Sequence, residues 1–97
     1  MDPIKDDELA KIAARADAAT KAPWESFVEG RDHFGGDNFI RTGGLDDDSP
    51  DMYVTHYFWV ENPTPVPAPP ADLDFIAHAR QDIPRLIAEI ERLRATR

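Results

Sequence analysis

Met52-Tyr53-Val54-Thr55-His56-Tyr57-Phe58-Trp59-Val60 is the stretch whose reading decides the fold, because β-branched and aromatic residues crowd it and breakers bound it on both sides. It reads as one strand. Alternation sends Met52, Val54, His56, Phe58 and Val60 to one face and Tyr53, Thr55, Tyr57 and Trp59 to the other, so both faces can bury surface. The strand is therefore expected at the centre of a small sheet, with its aliphatic face against helices.

Upstream of it, Asp6-Asp7-Glu8 precedes Leu9, Ile12, Ala13 and Ala16. Acids favoured by the N-terminal dipole and an i, i+3, i+4, i+7 stripe predict a helix over 6–20, after a loose arm at 1–5. Because the stripe is mostly Ala, whatever it packs on must come close. Pro23 stops the helix. A strand can be drawn from Trp24 to about Arg31, and a second from Asn38 to Thr42, joined across Gly35-Gly36-Asp37. The sheet region thus runs over 24–60.

Gly43 to Asp51 is an acidic loop. Its acids miss the calcium-loop pattern: counting from Asp46, the fifth position is Pro50, the sixth Asp51 and the twelfth Tyr57. Downstream, residues 62–70 are proline-rich and read as an extended connector, with no Arg or Lys beside the formal PxxP. Residues 71–96 turn helical. Pro84 would remove one hydrogen bond inside a continuous helix, whereas Asp82 could cap a new one. A break or kink at Gln81–Asp82 is expected, separating a helix over 71–80 from one over 83–96. The fold class is α+β in a single domain: an N-terminal helix, an antiparallel sheet of about three strands, and a kinked C-terminal helix pair on one sheet face.

The net charge is −8, and it is uneven: residues 1–60 carry thirteen acids against six bases, residues 61–97 six against five. Such a surface repels phosphate backbones, so direct nucleic-acid binding is not expected. No apolar run approaches the roughly 20 residues of a membrane span, no secretory pattern is present, and Cys is absent. The expectation is a cytoplasmic protein without a membrane partner. His33, His56 and His78 are scattered, no hydrolase, P-loop, dinucleotide or zincin motif occurs, and no cofactor, metal site or catalytic residue is implied.

Two segments carry a resemblance. Ile12 to Trp24, closing in Ala18-Ala19-Thr20-Lys21-Ala22-Pro23-Trp24, and Asp72 to Ile90, containing Phe75-Ile76-Ala77-His78-Ala79-Arg80-Gln81-Asp82-Ile83-Pro84, resemble the ends of small Ead-like phage and prophage accessory proteins, also found in actinobacterial genomes. Ala22 stands where that family usually has Gly. The resemblance implies no activity. Its setting, variable phage gene neighbourhoods, implies a counter-defence protein in the host cytoplasm that binds or sequesters a host component.

The aromatic face of the opening stretch is the first candidate for that binding. Tyr53, Tyr57 and Trp59 side by side would leave a bare patch of about 400–600 Å², the top of the range for a monomer. Its cover could be the chain itself, a second copy in a homodimer, or a ligand or host protein. Trp24, Arg41 and Arg80 complete the candidate site. In one version a small nucleotide stacks on Tyr57 or Trp59 while Arg31, Arg41 or Arg80 reaches its phosphate; in the alternative, an acidic inhibitor or nucleic-acid mimic grips a basic host protein.

Overall fold

The computed structural model describes residues 2–44, 49–59 and 63–96, the side chains of Trp59 and Pro63 excepted. It is an α+β fold in which a helix α1 (Asp6–Ala18) and short strands β1 (Glu25–Phe27), β2 (Phe39–Arg41), β3 (Asp51–Met52), β4 (Thr55–Trp59) and β5 (Pro63–Pro67) precede a long helix α2 (Pro70–Ala95). Strands β1, β2 and β3 form an antiparallel sheet in chain order, with Ser26 opposite Ile40 and Ile40 opposite Met52. Leu45 and the acids Asp46 to Asp48, and Val60, Glu61 and Asn62, lie outside the described residues.

The decisive stretch is not one strand. Asp51–Met52 ends the three-stranded sheet, Tyr53 and Val54 step out of it, and Thr55–Trp59 starts a separate ribbon with β5. The expected connector is therefore a strand, paired Thr55 to Pro67, His56 to Val66, Tyr57 to Pro65, Phe58 to Thr64 and Trp59 to Pro63. Its prolines make this possible by their spacing. At 63, 65 and 67 they recur with the strand period of two, so every missing N–H falls on one edge, while Val66 and Thr64 keep theirs for the other. Composition suggested a spacer; periodicity permits an edge strand.

The core lies between the sheet and α2. Ile40 and Leu73 are fully buried, and Val28, Ala68 and Ala77 join them, with Trp24, Met52, Val54 and Ile76 packed around. Fully burying each of the two large side chains is worth about 1.5–3 kcal/mol. Leu9 and Ile87 are also buried, on the two helices that pack together. Met52 and Val54 meet the expectation of an inward face. Phe58 does not: it is 58% exposed, because the ribbon has left the sheet that α2 covers.

α2 is one helix from Pro70 to Ala95 rather than a pair broken at 81–82. Pro84 sits inside it, and the carbonyl of Arg80 loses its usual donor. Packing on both sides of the proline holds the helix together: Leu73 and Ala77 bury against the sheet before it, and Ile87 is buried after it. Residues 2–5 of the predicted arm are non-helical, but Arg94 ties them down, Nη2 donating to the Ile4 carbonyl at 2.5 Å and Nη1 to Asp6 Oδ1 at 2.5 Å.

A polar staple completes the junction. Asp74, one turn into α2, receives Arg31 in a two-pronged bond, Nη1 to Oδ2 and Nη2 to Oδ1 both at 2.9 Å, and Ser26 Oγ donates to Oδ1 at 2.5 Å. The Arg31 guanidinium, then the Ser26 hydroxyl, hold the Asp74 carboxyl well below the usual carboxylate range. Asp32 is lowered too, first because its carboxylate accepts the Val28 N–H at 2.8 Å.

Candidate binding groove between the helices

The six candidate residues fall in three places. Arg41 and Tyr53 lie on the face of the three-stranded sheet away from α2. There Phe27 and Phe39 stack with centroids 5.2 Å apart, Tyr53 follows at 5.7 Å from Phe39, and the Arg41 guanidinium lies 5.1 Å from the Phe27 ring. Arg41 Nε is also 3.7 Å from Asp51. Its charge is already engaged by two rings and a carboxylate. Tyr57 is on the ribbon, 52% exposed; Trp59 occupies the end of β4, and its side chain lies outside what is described. The three-ring patch expected from alternation is thus divided at Tyr53–Val54.

Trp24 and Arg80, distant in sequence, come together. The indole Nε1 and the guanidinium Nε both donate to the carbonyl of Thr20, at 3.0 and 2.9 Å. One carbonyl just past the end of α1 therefore orients an aromatic ring and a cation. Gln81 fixes the Trp24 backbone from the next position on α2: its Oε1 accepts the Trp24 N–H at 2.8 Å, and its Nε2 donates to the Trp24 carbonyl at 3.0 Å.

These two residues wall an open groove of about 370 Å³ between α1 and α2. Ile12, Arg15, Ala16 and Ala19 line it from α1, and Phe75, Ile76, Ala79, Arg80 and Ile83 from α2. The small side chains of Ala16, Ala19 and Ala79 leave the space. Phe75, 76% exposed, stands in it as a second aromatic surface. The size falls within the ordinary range for small-molecule sites. No carboxylate, imidazole, hydroxyl or thiol is among the side chains that line it.

Charge distinguishes this groove from a mere packing defect. Among the described residues, Arg15 has no ion-pair or hydrogen-bond partner, and Arg80 spends only its Nε, leaving the two Nη nitrogens available. Arg31, which sequence reasoning also offered to a phosphate, is consumed by Asp74 and Asp32. Two arginines without a carboxylate partner among the described residues thus border an apolar floor that their aliphatic stems help to line, in a chain of net charge −8.

Arg15, Phe75 and Ile83 were not among the candidate site residues read from the sequence. A signal existed. Phe75, Ala79 and Ile83 recur at i, i+4 and i+8 while Leu73 and Ala77 recur at i and i+4 on a different stripe, so α2 has more apolar surface than one sheet face can cover.

His33 and His56 have separate settings: the His33 ring is tilted against Phe39 with centroids 5.4 Å apart and its Nδ1 bonds with the Gly35 carbonyl, whereas His56 Nε2 is 3.3 Å from Asp72. Among the described residues no group of acids, imidazoles and thiols is arranged to hold a metal, and no helix is long and apolar enough to cross a membrane. No protein-family model, curated protein or solved structure matches the chain.

Proposed function

We propose that this protein is a non-enzymatic binding module that sequesters a small planar anion, with a host nucleotide signal as the class that fits best, in the groove between α1 and α2. The observation that carries this reading is the pair of arginines, Arg15 and Arg80, that have no carboxylate partner among the described residues and border a groove otherwise walled by Trp24, Phe75 and small apolar side chains. A base would lie against Trp24 or Phe75, where stacking is worth about 1–3 kcal/mol, and the phosphate would accept from the arginines. The lining offers no base or nucleophile, which favours capture over turnover. The resemblance of both groove-forming segments to phage accessory proteins supports a counter-defence role of this kind.

The test is a titration with mono-, di- and cyclic nucleotides followed by thermal unfolding and tryptophan fluorescence. Filling the site at about 100 times Kd should stabilise the fold by about 2.7 kcal/mol. Arg15→Ala combined with Arg80→Ala should weaken binding at least tenfold, about 1.4 kcal/mol, while Arg41→Ala should not. If no nucleotide stabilises the protein and a basic host protein is instead recovered and released by moderate salt, the acidic-inhibitor reading takes its place.

A further inference from the structure

We propose that the outer edge of β4 is a dimer seam, across which a second copy of this chain lays its own β4 antiparallel to make a four-stranded sheet in the order β5, β4, β4, β5. The inference is independent of the helix groove and rests on how the ribbon's backbone is directed.

In an antiparallel pair, the residues that exchange hydrogen bonds alternate with residues whose amides point away. Ala68 N donates to the Val54 carbonyl at 2.9 Å, which sets the phase: 54 with 68, 56 with 66 and 58 with 64 face inward. The groups of Thr55, Tyr57 and Trp59 therefore point to the outer edge of β4, and those of Pro67, Pro65 and Pro63 to the outer edge of β5. The two edges differ in kind. Every outward position of β5 is a proline with no N–H, so that edge cannot take another strand in a regular ladder. The outer edge of β4 carries ordinary residues, and among the described residues no strand lies beside it.

Among the described residues, no helix packs across the ribbon. Two strands alone are marginal in water. This pair joins the rest of the molecule through its base, where Ala68 is buried, Val54 packs on the core and His56 approaches Asp72.

A second copy fits this edge for two reasons. An antiparallel strand edge is self-complementary about a two-fold axis, here beside Tyr57 at the centre of β4. Two chains of charge −8 repel, yet Thr55–Trp59 and Pro63–Pro67 contain no Asp, Glu, Lys or Arg, so the ribbon is the neutral strip on which they can meet. Phe58 would gain cross-strand neighbours there. An edge this short buries less than the roughly 800 Å² per partner of a standard interface, which makes the dimer a weak one.

Sedimentation equilibrium of the full chain, taken up to about 200 µM, should approach twice the 10.9 kDa chain mass. Thr55→Pro removes an outward N–H and leaves the bonds to β5 in place; it should weaken the dimer at least tenfold with unchanged circular dichroism. Should that variant unfold, a single cysteine decides. The chain has no other thiol, and Tyr57→Cys would bring two sulfurs within disulfide reach across the seam, whereas Arg85→Cys on α2 would not. Oxidative cross-linking at position 57 well above that at 85 supports the seam. A single-chain mass throughout, a dimer unaffected by a folded Thr55→Pro, or equal cross-linking from both cysteines would overturn it.

Discussion

Gln81 pairs with the backbone of Trp24 as a neighbouring strand would: the Trp24 N–H donates to Gln81 Oε1 at 2.8 Å, and Gln81 Nε2 returns a bond to the Trp24 carbonyl at 3.0 Å. The same Nε2 reaches the Ala77 carbonyl at 3.2 Å. One side-chain amide thus joins the segment leading into β1 to the middle of α2 and holds a wall of the groove. Gln81→Leu keeps the bulk and leaves both Trp24 backbone groups without these partners. The expected loss is about 1–3 kcal/mol in urea unfolding, with weaker binding in the groove. A variant as stable as the parent would mean that water replaces the amide at no cost.

The Asp74 staple gives a pH dependence with a definite sign. Its carboxyl is depressed in the folded chain relative to the ordinary value of 3.8. As pH falls, the unfolded chain therefore takes up the proton first. The stabilisation is full above the ordinary carboxylate range and is lost as pH drops below it toward the lowered folded value. Asp32 acts in the same direction. Urea midpoints measured at about pH 7 and about pH 3 should fall more steeply for the parent than for Asp74→Asn. Parallel slopes would show that the ion pair with Arg31 contributes nothing to the acid limb.

Pro84 provides a test of helix continuity. In an unbroken α2, Pro84→Ala restores a donor to the Arg80 carbonyl and removes a ring from the helix interior. Relief of about 3 kcal/mol, less about 0.4–1 kcal/mol for the freer unfolded chain, leaves an expected gain of about 2 kcal/mol. A helix that restarted at Asp82 would accept proline in its first turn, and the substitution would then be neutral.

The two apolar stripes of α2 should respond unequally to truncation. Leu73→Ala empties a fully buried position and should cost about 2–5 kcal/mol. Phe75→Ala, two residues along, removes a ring that is largely solvent-exposed and should change stability by about 0.5 kcal/mol or less. If Phe75 contacts ligand, its loss will appear in the binding titration and not in the melt.

Local patterning made much of the architecture legible. Acids ahead of a spaced Leu and Ile marked α1, the Gly35-Gly36-Asp37 turn separated β1 from β2, and the helical pattern over 71–96 marked α2. These signals act within a few residues, so they survive without knowledge of neighbours. The ribbon was missed because polyproline composition outweighed its period of two. The break at Gln81–Asp82 was expected because the packing that keeps α2 continuous through Pro84 comes from residues far away in the chain.

The sequence by itself determined the α+β class, the acidic and cysteine-free character, and the identity of Trp24 and Arg80 as residues worth following. Tertiary structure alone decided that these two share the Thr20 carbonyl, that Arg15 joins them while Arg31 and Arg41 are taken elsewhere, and that the Met52–Val60 stretch leaves the sheet at Tyr53. The physical reason is that propensity and periodicity are local, whereas the commitment of a charge or a strand edge depends on which partners the fold brings within a few ångströms.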